Sequence, residues 1–456
     1  MVMDLRSWMA ATPELVRIDE PLSVRHEITA VQHGIEKASR APLLFQRPLL
    51  LNGSVSSTPV LTNVTARRDL LTRLLGLPNR RTARPLSERL TCTHAPNRVA
   101  PPEHLIELGG DNPAASLPVL WQHEGDPGPY LTAAHATTID PDSEIDNTAV
   151  QRVWVKDGRE WPYFPYPSSH NWKNIEKWWA RGEDAPIALW IGHHPAVLMG
   201  TQVKVDYPVS HWPSAGALLG EPLRLMQTVV RGSWLMVPSE AEIIVEGVVP
   251  RNHRVQEGPF GEFTGYAGEA THSPVIRVER VRMRPGAVYH DFASGLSDAL
   301  VPDDLLIEAK LFEIASRVSP EVLDVHLPSY GRRFWAFVET RPLSQAAARA
   351  LLNELLEFRR TKFVVLFDEG VNLHDPTAIL ETIATRSQPG RDFLERSGLP
   401  GSALDPSLPL GDGRSGKLGI DATWNGGRRP PVNRVPPVVL RHDEVQAAIE
   451  QCRGKA

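Results

Sequence analysis

The segment Glu257-Gly258-Pro259-Phe260-Gly261-Glu262, running on into Phe263-Thr264-Gly265-Tyr266, limits this chain more than any other stretch of it. Proline withholds a backbone donor and glycine tolerates left-handed backbone, so no regular helix passes through Pro259 and Gly261. The chain must turn tightly here, with a carboxylate on either side of the turn. Such a turn can aim both acids into one cavity, where a like charge or an arginine separates their pKa values and assigns acid and base roles. A hairpin tip carrying two solvated glutamates has the same composition, because acidic turns are frequent on protein surfaces.

A chain of 456 residues exceeds the size at which one core stops growing, which implies two or three domains. With 41% hydrophobic and 23% charged residues it is a folded globular protein, and a net charge of -5 offers nothing to nucleic acid. The start, Met1-Val2-Met3-Asp4-Leu5-Arg6, lacks the basic opening and apolar run of a signal peptide. The best apolar run, Ala185 to Gly200, is broken by His193, His194 and Pro195, so no membrane association is expected. Two cysteines far apart, Cys92 and Cys452, support neither a disulfide framework nor a cysteine metal cluster, and a cytoplasmic location is expected.

Along the chain the composition shifts twice. Residues 1–117 mix helical patches with short apolar runs, as in Ile28 to Ala38 followed by Pro42-Leu43-Leu44-Phe45, and read as an α/β layer. Residues 118–300 are richer in β-like runs (Ala188 to Ile191, Glu242 to Val245, Val275 to Met283) and suggest a barrel or sandwich. Helical composition at Asn174 to Arg181 and Pro222 to Val230 decorates it. In residues 301–456, Asp303 or Asp304 caps a helix from Leu305 to Val318, and Phe334 to Val338, Ser344 to Arg360 and Phe363 to Phe367 form a strand–helix–strand unit. The class is α+β. From Ser387 onward Gly, Pro and polar residues dominate up to a short helix near Glu444 to Cys452, a linker or an arm on a neighbouring subunit.

Other residues offer chemistry. Asn147 and Arg152 would face opposite sides of a strand, so they share a site only across a bend or bulge. Arg152 can pair with Glu257 and offer a guanidinium fork to a substrate carboxylate. His170 lies in a polar loop as a possible ligand or donor, and His193, His194, His211 and His272 compete for that role. Asn, His and Glu without Cys suit a hard divalent ion such as Mg or Mn. Lys417 sits between two glycines and can reach a phosphate, or simply mark a turn.

Taken together these segments resemble the UbiD family of prenylated-flavin-dependent decarboxylases. The resemblance covers most of the chain. Its most specific element is Glu257 to Glu262 with Tyr266, supported by Asn147 with Arg152, His170, Ala215-Gly216-Ala217-Leu218 with Gly220-Glu221-Pro222, Val237-Pro238 through Glu246-Gly247, Ala384-Thr385-Arg386 and Ser415 to Thr423. It implies an N-terminal α/β domain, a central split β-barrel that binds prenylated FMN, and a C-terminal α/β dimerisation domain. It also implies a divalent metal, Mn or Mg, on the flavin phosphate beside K or Na, a flavin prenyltransferase as cofactor supplier, and a homodimer or assembly of dimers.

Carried over residue by residue, the resemblance makes Arg152, Glu257 and Glu262 the catalytic set, with Glu262 the proton donor and the other two positioning the carboxylate. Asn147, Gln151, Ser169, His170, Gln202, Val203 and Lys417 would bind the cofactor, Lys417 at its phosphate. Asn147 and His170 match metal ligands, and His211 stands where the family usually has glutamate, which brings one fewer negative charge to the metal. The expected reaction is non-oxidative decarboxylation, in one direction or both, of an α,β-unsaturated, aromatic or heteroaromatic acid. The flavin provides the electron sink that side chains lack. Leu300, Val301, Leu305 and Leu306 are either an apolar substrate wall or ordinary core. The alternative is a flavin- or phosphate-binding protein without decarboxylase activity, suggested by His211. A two-carboxylate hydrolase leaves Asn147, His170 and Lys417 without roles.

Overall fold

The structure, a computed structural model, describes residues 3–230, 234–409, 413–425, 427, 429–431, 433 and 435–453. At its centre is an antiparallel sheet in the order Glu160–Pro162, Thr271–Met283, Ile243–Val249, Ala185–Ile191, His135–Ile139, Asp146–Val150, with Arg254–Glu257 and Ile106–Glu107 added on Thr271–Met283. Every residue of Ala185–Ile191 is buried, because both faces of the sheet are covered. The two-residue period sorts them: Ala188 and Trp190 pack into one core, Ile187, Leu189 and Ile191 into another. Among the described residues this strand path does not close, and Asp146–Val150 is one of its ends.

The N-terminal sheet contains Val16–Ile18, Leu43–Phe45 and Val60–Thr62, and its fourth strand is Tyr289–His290, supplied from far along the chain. Helix Leu5–Ala10 anchors this part to the central sheet: Leu5 is buried, and Arg6 forms a two-pronged pair with the buried Glu242 at 2.9 Å on each arm. The C-terminal sheet runs Val322–His326, Trp335–Thr340, Phe363–Asp368, Arg414–Ala422, Phe393–Pro400. Its strand–helix–strand unit, with helix Gln345–Leu356 between two parallel strands, is the one expected from the sequence.

Three local expectations are corrected. Pro222 to Val230 is not helical: Arg224–Gln227 is a strand, paired with Asn97–Val99 and Met236–Pro238, and burial of Leu225 and Met226 between them overrides propensity. Asp303 and Asp304 do not cap a helix. The helix begins at Ser297 and runs to Val318 through Pro302, so both aspartates lie inside it and are buried. The stretch after Ser387 contains two strands of the C-terminal sheet, and Lys417 lies on one of them, not in a turn. Cys92 and Cys452 are both free and exposed. Among the described residues no helix is long and apolar enough to cross a membrane.

Candidate active site

A cavity of about 490 Å³ opens beside the edge strand Asp146–Val150. The strand ends at Val150, and beyond it Arg152 leaves the strand's alternation, so Asn147 and Arg152 both line the cavity. The turn after Arg254–Glu257 faces them. Gly258 holds φ +79° where a side chain would press on the Glu269 carbonyl, and a Cβ on Gly261 would meet His123 Nδ1 at 3.0 Å. These two positions explain why the turn needs its glycines.

The turn does not aim both acids into the cavity. Glu257 is fully buried behind Arg152, whereas Glu262 lines the cavity wall. Arg152 donates to both oxygens of Glu257, Nε at 2.9 Å and Nη2 at 2.8 Å, and its Nη1 donates to Glu262. Tyr130, which sequence reading missed, donates its hydroxyl to Glu257 at 3.1 Å. The Arg152 guanidinium lies over the rings of Phe164 at 4.1 Å and Phe260 at 4.9 Å, which shield it from water and help fix its orientation. Burial raises the Glu262 carboxyl above its ordinary value, against the lowering pull of Arg152 and with a smaller push from Glu257.

A second cluster lies along the same wall. Asn147 donates its amide to Asn171 Oδ1 at 2.7 Å, which leaves Asn147 Oδ1 buried without a partner. His211 Nε2 lies 3.1 Å from the Val203 carbonyl, an acceptor, so Nε2 carries the proton and the buried, unpartnered Nδ1 carries the lone pair. His170 opens the helix His170–Ala180, whose N-cap Ser169 accepts from Trp172 N, and its ring centroid is 6.5 Å from that of His211. Burial pushes His211 down to about 3, with Lys204 and His170 adding to it, and burial lowers His170 too, so both imidazoles are neutral at pH 7. An orphaned amide oxygen and an orphaned imidazole nitrogen beside a second histidine fit a divalent ion that other oxygens complete. Among the described residues no cluster of three His, Cys, Asp or Glu side chains offers an alternative.

Gln151, Ser169, Gln202 and Val203 also line the cavity. Lys417 does not: its ammonium donates to the carbonyls of Leu356 at 2.8 Å and Phe358 at 2.7 Å, where it closes the end of a helix. Leu300, Val301, Leu305 and Leu306 are core residues, and none lines the cavity. The helix Ser297–Val318 presents Ala299 and Asp303 there instead. Asp303 accepts from Lys204 at 2.5 Å and from Arg360, and pairs with Arg333 at 3.1 Å. No local motif announced this group, since its members come together from remote parts of the chain.

Comparison with known proteins identifies the class to which this fold belongs. The chain matches the N-terminal, Rift-related and C-terminal domains of the 3-octaprenyl-4-hydroxybenzoate carboxy-lyase family over residues 6–90, 100–296 and 303–422. The UbiD-class enzyme HmfF from Pelotomaculum thermopropionicum, solved in complex with FMN, is 30% identical with a TM-score of 0.88, over 96% of this chain and 99% of that one. An evolved dimeric form of HmfF in complex with prFMN is 28% identical with a TM-score of 0.85, over 97% and 99%. The 3,4-dihydroxybenzoic acid decarboxylase of Enterobacter cloacae, 23% identical with a TM-score of 0.83 over 96% and 99%, shares the fold. This chain belongs to the UbiD family and is a carboxy-lyase.

Proposed function

We propose that this enzyme decarboxylates an α,β-unsaturated, aromatic or heteroaromatic acid, using prenylated FMN held in the cavity between the edge strand and the C-terminal domain. The observation that carries the reading is the separation of the two glutamates: Glu257 locks Arg152 from behind while Glu262 stands at the cavity. The non-catalytic alternative has no use for a buried Arg152 so fully assembled. In this reading the central sheet is a split barrel, and Asn147, His170 and His211 hold Mn or Mg on the flavin phosphate, with K or Na beside it. Gln151, Ser169, Gln202 and Val203 contact the flavin. The setting is a cytoplasmic homodimer or assembly of dimers, supplied by a flavin prenyltransferase.

When bound, prenylated FMN supplies the sink for the electron pair released by the breaking C–C bond. The protein's own part follows from its geometry. Three N–H groups of Arg152 are committed to the glutamates, and the remaining two are left for the substrate carboxylate. A carboxylate arriving beside Glu262 raises its pKa further by like-charge repulsion, which favours the protonated acid that the reaction requires. The balance is R–CO2⁻ + H⁺ → R–H + CO2: the proton goes from Glu262 to the carbon that lost CO2, and Glu262 recovers it from water. Phe164, Phe260, Phe263 and Phe292 keep the carboxylate poorly solvated, which favours loss of a neutral product.

The test is a CO2-release screen over cinnamic, hydroxybenzoic, heteroaromatic and polyketide-like acids, with protein co-expressed with a flavin prenyltransferase. Turnover of one acid class with a modified-flavin absorbance is expected. Absence of any flavin in protein prepared this way would sink the cofactor assignment. For the metal, His211→Ala is expected to lower bound Mn in elemental analysis, and full occupancy would remove His211 from the ligand set.

A further inference from the structure

The cavity carries more positive charge than its own carboxylates balance. Arg152, Lys204, Arg333, Arg359 and Arg360 line it, against Glu262 and Asp303. Arg152 is neutralised by its glutamates, and Arg333 has Asp304 at 3.2 Å besides Asp303. That leaves Asp303 shared among Lys204, Arg333 and Arg360. Arg359 has no carboxylate partner among the described residues and packs over the Tyr166 ring at 5.7 Å. Uncompensated charge in a partly dry wall is costly unless an anion enters.

Lys204 is the member of this set tied to the candidate metal cluster. Its neighbour Val203 gives its carbonyl to His211, which fixes the backbone of Lys204 against that histidine, and its ammonium is held at 2.9 Å by the Gln202 carbonyl as well as by Asp303. Lys417, the lysine that the family resemblance points to, is occupied elsewhere. We infer that Lys204, held in place by Asp303, and not Lys417, is the lysine that meets the phosphate of a flavin mononucleotide in this cavity. This rests on the flavin reading above and names the residue that reading leaves open. A phosphate carries close to two negative charges and accepts charge-assisted hydrogen bonds, so it matches what this wall lacks.

Binding of FMN and of riboflavin, which lacks the phosphate, to purified apo protein with Mn²⁺ and K⁺ separates the possibilities by flavin fluorescence. Wild type should prefer FMN. Lys204→Met should lose at least about tenfold of FMN affinity with riboflavin affinity unchanged, so that the preference collapses. Lys204→Gln, which keeps a donor for Asp303, should lose it to the same extent, and Lys204→Arg should keep it. Lys417→Met should retain the wild-type preference. An unchanged FMN-to-riboflavin ratio in folded Lys204→Met or Lys204→Gln, or a ratio lost in Lys417→Met alone, overturns the inference while leaving the flavin site standing. A wild type that binds neither flavin overturns both.

Discussion

At the scale of the residue, the chemistry of the site turns on one carboxyl being unlike its neighbour. Glu262 is raised by burial and Glu257 is consumed by Arg152 and Tyr130. Glu262→Gln in holo protein is therefore expected to cost roughly 10²–10⁴-fold in turnover with flavin still bound, and undiminished turnover would remove its role. In the proposed reaction the protonated form of Glu262 acts, so wild-type kcat should fall as pH rises through the raised Glu262 pKa, and this basic limb should be missing from the residual activity of Glu262→Gln. Much of this was legible in the sequence. Two glutamates across a turn that cannot be helical, with an arginine upstream, already contain the three side chains that the structure brings together. The depth of Glu257 was not legible, because the Tyr130 hydroxyl that helps bury it is 127 residues away. Lys204 and Asp303 were missed for the same reason, as partners 99 residues apart with no local pattern joining them.

At the scale of the element, helix Ser297–Val318 shows how a proline survives in a helix. Pro302 has no N–H for the carbonyl of Asp298, and Thr65 supplies the missing donor, its hydroxyl reaching that carbonyl at 2.7 Å. The same hydroxyl and the Thr65 amide lie 2.7 and 2.6 Å from the Asp298 carboxyl. Thr65→Val should therefore destabilise by ~1–3 kcal/mol, the cost of a buried acceptor left unpaired. Adding Pro302→Ala restores a backbone donor, so a double-mutant cycle in denaturant should show clear non-additivity, and simple additivity would mean that the hydroxyl does not serve this carbonyl. Sequence reading began this helix too late because it took Asp303 or Asp304 as its cap. The compensating threonine belongs to another domain, which no helix rule scans.

At the scale of the whole molecule, buried titratable groups pull in opposite directions. Burial pushes His135 to about 4 and His193, His211 and His290 to about 3. Their folded pKa values lie below the unfolded value of ~6.5, so the stability they contribute is present above that pH and lost as pH falls below it. Burial pushes Asp291 up to about 8 and Asp304 and Asp324 to about 7. Their folded values lie above the unfolded one, so their contribution is present in acid and lost as pH rises through 7 to 8. The two sets offset each other from roughly pH 4 to 6.5, and above that the aspartates act alone. The melting temperature should accordingly decline between about pH 6.5 and 8, and Asp291→Asn should flatten the decline; a rising curve in that window would contradict this arrangement.

The fourth strand of the N-terminal sheet, Tyr289–His290, has a consequence in time. Its partner strand Val60–Thr62 leaves the ribosome more than two hundred residues before it, so the N-terminal sheet is synthesised incomplete and stays so until the central sheet has been made. A nascent chain ending near residue 117 carries an open edge, a template for wrong pairing, and depends on chaperone cover or on speed to pass that stage.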